Sequence, residues 1–420
     1  MRHSSKKSPQ KLSADSLRLM NFCRAVLHSG SRLEQQFWEQ RMNQLVVKLL
    51  KNSHQPMLDT ALNLLFTSDA GAYDVLMDCI EANAESATIE HEGVVYASLL
   101  IALPILAWTR YSIPSGPVAP DTLATVSTHL QAHVLAPGVR VALMPALYSI
   151  DQLPANHVDV FSMLQRLSQS ILSNGSRSTS PGSMINSAPF LADTRYLIAA
   201  VIAPIDAPIF SWQASNGQLD FVAARKLALD QWLKQVTPNV APLMPGCGTE
   251  LLLPNAYFEA CRDADREIRP ASIRAADFYL TSTLGVTSQE LQAHIGGFSD
   301  DAETSLDEYR IGFSVGQNPE VVYGVVWPLY GQEDETNSDH SSESESNTVA
   351  GEPAPTNATP LEQILGLLRE AGITQITQHQ EHFPPDYCDD CGSPLYPDAE
   401  GELVHAEMPD GVAAGSEHFH

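Results

Sequence analysis

The chain has 420 residues, 44% of them hydrophobic, enough to build a substantial core over two or three domains, which excludes an intrinsically disordered protein. Its net charge of −26 is concentrated, because residues 331–420 hold 19 Asp or Glu against one Arg, Arg369, a net −18. That acidity disfavours binding of a phosphate backbone by the C-terminal segment, and the longest apolar runs, Val94 to Trp108 and Tyr196 to Phe210, are too short and too interrupted by Pro104 and Pro204 to span a membrane.

Residues 1–12 are basic but lead into no apolar signal core, so they predict a disordered arm on a cytoplasmic protein. Residues 13–86 read as a helical subdomain of four helices. Ser13 is placed to cap the first, Gly30 to stop it, Arg32 to Asn52 form the second, and Pro56 begins the third. From residue 87 the period shortens and apolar runs become continuous, the mark of buried strands. Val94 to Ala107 and Val139 to Ser149 are strand-like, while Asp121 to Leu135 and Pro154 to Leu172 are helical.

This β-α-β-α order, residues 87–173, returns after a Ser/Gly/Pro-rich surface loop over 174–194. In the second unit, residues 195–330, Tyr196 to Trp212 is strand-like, Phe221 to Val236 helical, Gly248 to Leu253 strand-like and Asn255 onward helical. Leu143-Met144-Pro145 with Leu153-Pro154 recurs at identical spacing as Leu243-Met244-Pro245 with Leu253-Pro254. Pro-Ile-x-x-Trp precedes each copy, ending at Trp108 and at Trp212. These correspondences predict an internal duplication, with the two prolines at helix starts. Pro270 to Leu284 and Thr287 to Ile295 read as further helices. Glu308 to Val315 with Glu320 to Trp327 reads as a hairpin whose Tyr309, Ile311 and Phe313 face a core. Residues 331–359 are low in complexity and predict a disordered acidic linker. Residues 360–383 recover a helix and a strand that return to the body. The expected fold class is therefore mixed α/β: a helical subdomain, two repeated halves forming sheets flanked by helices, and a small C-terminal Cys/His module.

That module, residues 384–420, carries the sharpest chemical motif. Cys388-Asp389-Asp390-Cys391-Gly392 can direct two thiolates at one tetrahedral zinc ion, with His405, His418 and His420 as candidate imidazole ligands. A metal-free turn with reduced thiols is the alternative, and the neighbouring Asp389 and Asp390 disfavour a redox pair because negative charge raises thiol pKa. His129 and His133, four apart on a helix, share a face but lack the Glu of a metalloprotease motif, and read as surface histidines. Arg262, Asp263, Asp265, Arg266 and Arg274 either edge a ligand site or form a solvated, salt-bridged helix face. Cys247, in Pro-Gly-Cys-Gly, and Ser115 read as turn residues rather than nucleophiles, and Glu90 and His91 are weaker still. No phosphate-binding loop, dinucleotide fingerprint or nucleophile elbow occurs, so no catalytic residue is assigned.

Ile105 to Gly116, Tyr148 to Pro154, Val322 to Gly331, Phe383 to Cys388, Val404 to Pro409 and the final His418-Phe419-His420 together carry a resemblance along nearly the whole chain. It resembles the bacterial domain-of-unknown-function family 2863, found in beta-proteobacteria. The resemblance implies a bacterial cytosolic protein whose Cys/His block belongs to the family pattern, and it transfers no activity. Two functions stand: an interaction or scaffold protein whose zinc-stabilised module docks an unknown protein partner, or an enzyme or small-ligand binder using a cleft between the two repeats. Oligomeric state is left open.

Overall fold

A computed structural model describes residues 13–109, 112–173, 191–214, 220–299, 306–316, 318–330, 358–390 and 392–409. The basic arm, most of the expected surface loop, the acidic linker to residue 357, and the candidate ligands Cys391, His418 and His420 lie outside them. The fold is mixed α and β. In chain order its helices are α1 (Ala14–Leu27), α2 (Arg32–Lys51), α3 (Gln55–Ser68), α4 (Ala70–Glu85), α5 (Pro120–His129), α6 (His157–Leu172), α7 (Phe221–Val240), α8 (Tyr257–Leu284) and α9 (Pro360–Glu370). The strands are β1 (Ser86–His91), β2 (Val94–Thr109), β3 (Gly116–Pro117), β4 (Arg140–Leu143), β5 (Ala146–Leu147), β6 (Leu191–Pro204), β7 (Gly248–Leu251), β8 (Asn255–Ala256), β9 (Leu291–Phe298), β10 (Glu308–Val315), β11 (Asn318–Pro328), β12 (Gln375–Phe383), β13 (Tyr396–Pro397) and β14 (Leu403–Val404).

The first sheet is built on β2 and β6, which pair antiparallel from Tyr96–Pro204 to Thr109–Leu191. Strand alternation sorts their side chains by parity. Leu100, Ala102, Ile198, Ala200 and Ile202 join a core made with α1 to α4, α6 and the start of α8, while Ile101, Leu103, Ile105, Leu197, Ala199 and Val201 join a second core with α5 and α7. Burial on both faces explains the unbroken apolar runs, although every pairing in this sheet is antiparallel. The β1–β2 hairpin turns on Glu92 and Gly93, both at positive φ, a two-residue connection whose geometry favours glycine.

The order long strand, helix, short strand, helix runs twice, and the halves pair crosswise: β4 lies on β6, and β7 and β8 lie on β2. The sequence landmarks, however, do not occupy equivalent places. Trp108 lies within β2, where its indole covers Gly248, whereas Trp212 sits in a 3-10 turn stacked on Phe210 at 4.7 Å. Met144 is buried in the first core and Met244 in the second. Pro154 and Pro254 do not start helices: α6 begins at His157 and α8 at Tyr257, after the short strand β8.

Two expected helices are corrected. Pro270 does not start a helix but lies inside the 28-residue α8. A proline leaves the carbonyl four residues earlier without its usual donor, and here Arg269 Nε approaches that Arg266 carbonyl at 3.4 Å. Thr287 to Ile295 is a 3-10 turn followed by strand β9, paired along its length with β10.

The second sheet has the order β11-β10-β9-β12, with β12 parallel to β9 and the other pairs antiparallel. One face carries Ala293, Ile295, Tyr309, Ile311, Phe313 and Trp327 against the second half of α8 and against Ile364 and Leu368 of α9. Helix α8 therefore serves two cores, its first turns beneath the first sheet and its last turns beneath the second.

Arg195, 1% exposed on β6, closes the end of the first sheet. It pairs with Asp193 at 2.6 Å and donates to the carbonyls of Ile113, Pro114 and Thr194, each at 2.9 Å. Removing a buried cation strands its partners, so Arg195→Ala should lower the unfolding free energy by about 3–5 kcal/mol in urea titrations. A loss below about 1 kcal/mol, the size of an ordinary surface change, would show that the clamp is dispensable.

Candidate metal centre

The Cys388 turn is a tight hairpin. Tyr387 bridges Pro394, Cys388 N donates to Ser393 O at 2.8 Å, and Leu395 N donates to Asp386 O at 3.1 Å. At its tip Gly392 N donates to Cys388 O at 2.8 Å, with Gly392 at φ +72°, a conformation that glycine adopts without the cost of a Cβ. Cys388 itself is a half-buried free thiol. The outgoing strand continues into β13, which pairs with β14 through Tyr396–Val404, so His405 follows directly on the third strand of this ribbon. Tyr396 packs over Gly324 of the second sheet, and the Arg310 guanidinium lies 5.0 Å from the Tyr387 ring centre. Among the described residues no three His, Cys, Asp or Glu side chains gather as a metal-holding group. Of the five predicted ligands, Cys388 and His405 are described, and Cys391, His418 and His420 lie outside.

The ribbon lies on the second face of the second sheet. That face is built from Arg310, Gly312, Ser314, His294, Gly296 and Gly324, and it is buried although it is polar. The aromatic ring of Tyr396 occupies the space where a Cβ on Gly324 would stand, and the Pro397 carbonyl does the same at Gly312. His379 Nε2 bonds Asp398 O at 2.8 Å, and Glu407 N donates to Val321 O at 3.0 Å. His294 is fully buried, its Nε2 is 2.8 Å from Ser314 Oγ, and burial followed by the nearby His379 lowers its pKa. Arg310 was missed from the sequence, since a charged residue alternating with Tyr309 and Ile311 reads as solvent-facing. The signal was its company: Gly312, Ser314 and Gly324 on the same face leave room for another layer of chain rather than for water.

The other candidates resolve into structural roles. Arg262 pairs with Glu81 at 2.6 Å and with Glu259 at 2.9 Å, Arg266 with Asp263 at 3.6 Å, and Arg274 with Glu370 at 3.9 Å, as partly exposed ion pairs along α8. The two halves meet through the continuous β2–β6 ladder. His129 and His133 stack on each other at 5.8 Å, both half-buried. Burial pushes the Cys247 thiol up, away from the nucleophilic thiolate, and Ser115 is buried beside the loop held by Arg195. His91 sits at the β1–β2 turn near Glu92 and approaches no other candidate through an ion pair. No described helix is long and apolar enough to cross a membrane.

The chain belongs to the family described as protein of unknown function DUF2863, whose model matches residues 4–419. No curated protein and no solved structure matches it.

The strongest carboxylate perturbation lies where α4 meets α8. Burial raises Glu85 to about 7 from 4.5, the Phe258 N–H at 2.9 Å opposes the shift, and Glu81 adds to it. A carboxyl raised in the folded state favours folding below its unfolded pKa and loses that contribution as pH rises through the folded one. Glu85→Gln keeps an acceptor for Phe258 N without the charge. Relative to wild type it should become progressively more stable between about pH 4.5 and 7, which paired melting curves across that range would measure. A difference in melting temperature that stays flat with pH would exclude the assignment.

Proposed function

We propose that this protein is a cytoplasmic interaction or scaffold protein whose C-terminal module, residues 384–420, is stabilised by zinc. The observation that supports the reading is the tight turn closed by Gly392 N to Cys388 O, directly after the first cysteine of the motif. A C-x-x-C turn followed by glycine is the sequence pattern that directs two thiolates at one tetrahedral ion. Cys388 and Cys391 supply the sulfur ligands, and His405 with His418 or His420 supplies imidazole. The zinc would fix the turn and crosslink it to the segment after β14, chemistry that is structural rather than catalytic. The free state of the five described cysteines favours a reducing compartment. The partner is a protein, since a C-terminal segment of net −18 repels nucleic acid phosphate.

Metal analysis of the purified full-length chain should find stoichiometric zinc in the wild type and its loss in Cys388→Ala/Cys391→Ala. His405→Ala, His418→Ala and His420→Ala then identify the imidazole ligands by which of them release the metal. A wild-type chain without stoichiometric metal ends the zinc reading. Proximity labelling in cells tests the interaction role, with a set of labelled proteins that shrinks in the double cysteine variant; an unchanged set would separate the module from partner binding.

A further inference from the structure

Helix α2 is supported along only half of its length. Its C-terminal half buries Met42, Val46, Leu49 and Leu50, whereas no residue from Arg32 to Arg41 is buried. At about 100° per residue those four side chains define the inward direction, and Leu33, Gln36, Phe37, Gln40, Gln44 and Val47 fall on the outward side. That stripe faces water and yet carries no charge across about four turns. Leu33 is 80% exposed and Phe37 46%, and the glutamines and Val47 line an open groove along the helix. A solvated helix face is ordinarily charged, so an outward stripe of apolar and amide side chains marks a surface that another helix covers.

We propose that this stripe seats α2 of a second copy of the chain, antiparallel about a two-fold axis at Gln40. Leu33 and Val47 lie equally far to either side of Gln40, as do Gln36 and Gln44, so Leu33 meets Val47, Gln36 meets Gln44, and Gln40 meets itself. Glutamine amides both donate and accept, and can pair with their own kind. The charges choose the orientation. Glu34, Arg41 and Lys48 recur at heptad spacing along one edge of the stripe, and antiparallel helices bring the same edge of each copy together. Glu34 then approaches Lys48 of the second copy at both ends of the contact, whereas a parallel pair would set Glu34 against Glu39 of the other copy. Glu34 and Lys48 are exposed, and their local contacts are to Gly30 N at 3.1 Å and to Asp15 at 3.2 Å. Arg41 meets its own copy beside the axis, where each guanidinium lies over the Phe37 ring of its own helix, 4.4 Å from the centre. The contact is about 21 Å long, small for an interface, so a micromolar dimer is expected.

Sedimentation equilibrium of the full-length chain over the micromolar range should show a monomer–dimer equilibrium. Gln40→Glu sets two carboxylates face to face at the axis and should weaken the dimer about 10-fold or more, with the melting temperature of the monomer unchanged because the site is exposed. Glu34→Lys should weaken it as well, and Glu34→Lys/Lys48→Glu should recover it, a rescue that separate structural roles for the two residues would not give. Gln40→Cys should yield a covalent dimer under mild oxidation, while wild type and Lys51→Cys, whose copies lie about 33 Å apart, should not. A wild type that stays monomeric overturns the proposal. So does a dimer that Gln40→Glu leaves intact, because its interface then lies elsewhere.

Discussion

The antiparallel pairing of β2 with β6 is the constraint from which the rest of the molecule is arranged. Two long strands whose central positions are apolar on both faces leave no face there that water can cover, so helices must be supplied on both sides. The chain supplies them alternately. In each half the helix after the long strand covers one face and the helix after the short strand covers the other, which puts α5 and α7 together and α6 beside the start of α8. The four N-terminal helices then pack around α6 and α8, enlarging one core without touching the sheet's other side. Arg195 seals the ladder where the strands run out of apolar partners.

The second sheet solves a different problem. One of its faces is apolar and lies on α8 and α9. The other is polar, carries glycines where side chains would normally stand, and is covered by the chain's own C-terminal ribbon. A polar face is costly to bury unless its groups are paired. Arg310 with Glu308, His294 with Ser314, and His379 with the Asp398 carbonyl are the pairs that make this cover tenable. This buried polar face is the one that carries the cysteine-bearing turn.

Much of the fold was legible because hydrophobic period is a direct record of burial. The helical subdomain, the long strands, the β10–β11 hairpin and α9 follow from it. What escaped were features in which a local rule yields to the tertiary setting. Pro270 reads as a boundary, yet Arg269 offers the freed Arg266 carbonyl a donor and the helix continues. Thr287 to Ile295 has helical spacing, yet the neighbouring β10 offers it a ladder. The Trp108 and Trp212 landmarks match in letters because tryptophan is useful in two unrelated settings, over a glycine in a sheet and on a phenylalanine in a turn. At the site, the cysteine pair and its following glycine were visible as a motif. The arginine beneath the turn was not, because burial of Arg310 depends on chain that follows it by more than seventy residues.

Helix α8 gives the molecule a mechanical character of its own. At 28 residues it is about 42 Å long, and its two ends are held by different hydrophobic layers. A rod clamped at both ends cannot lose one clamp without presenting that half of its apolar stripe to water, which penalises partial melting of either sheet. Two sheets that share no strand are thereby joined through one helix that both cores require.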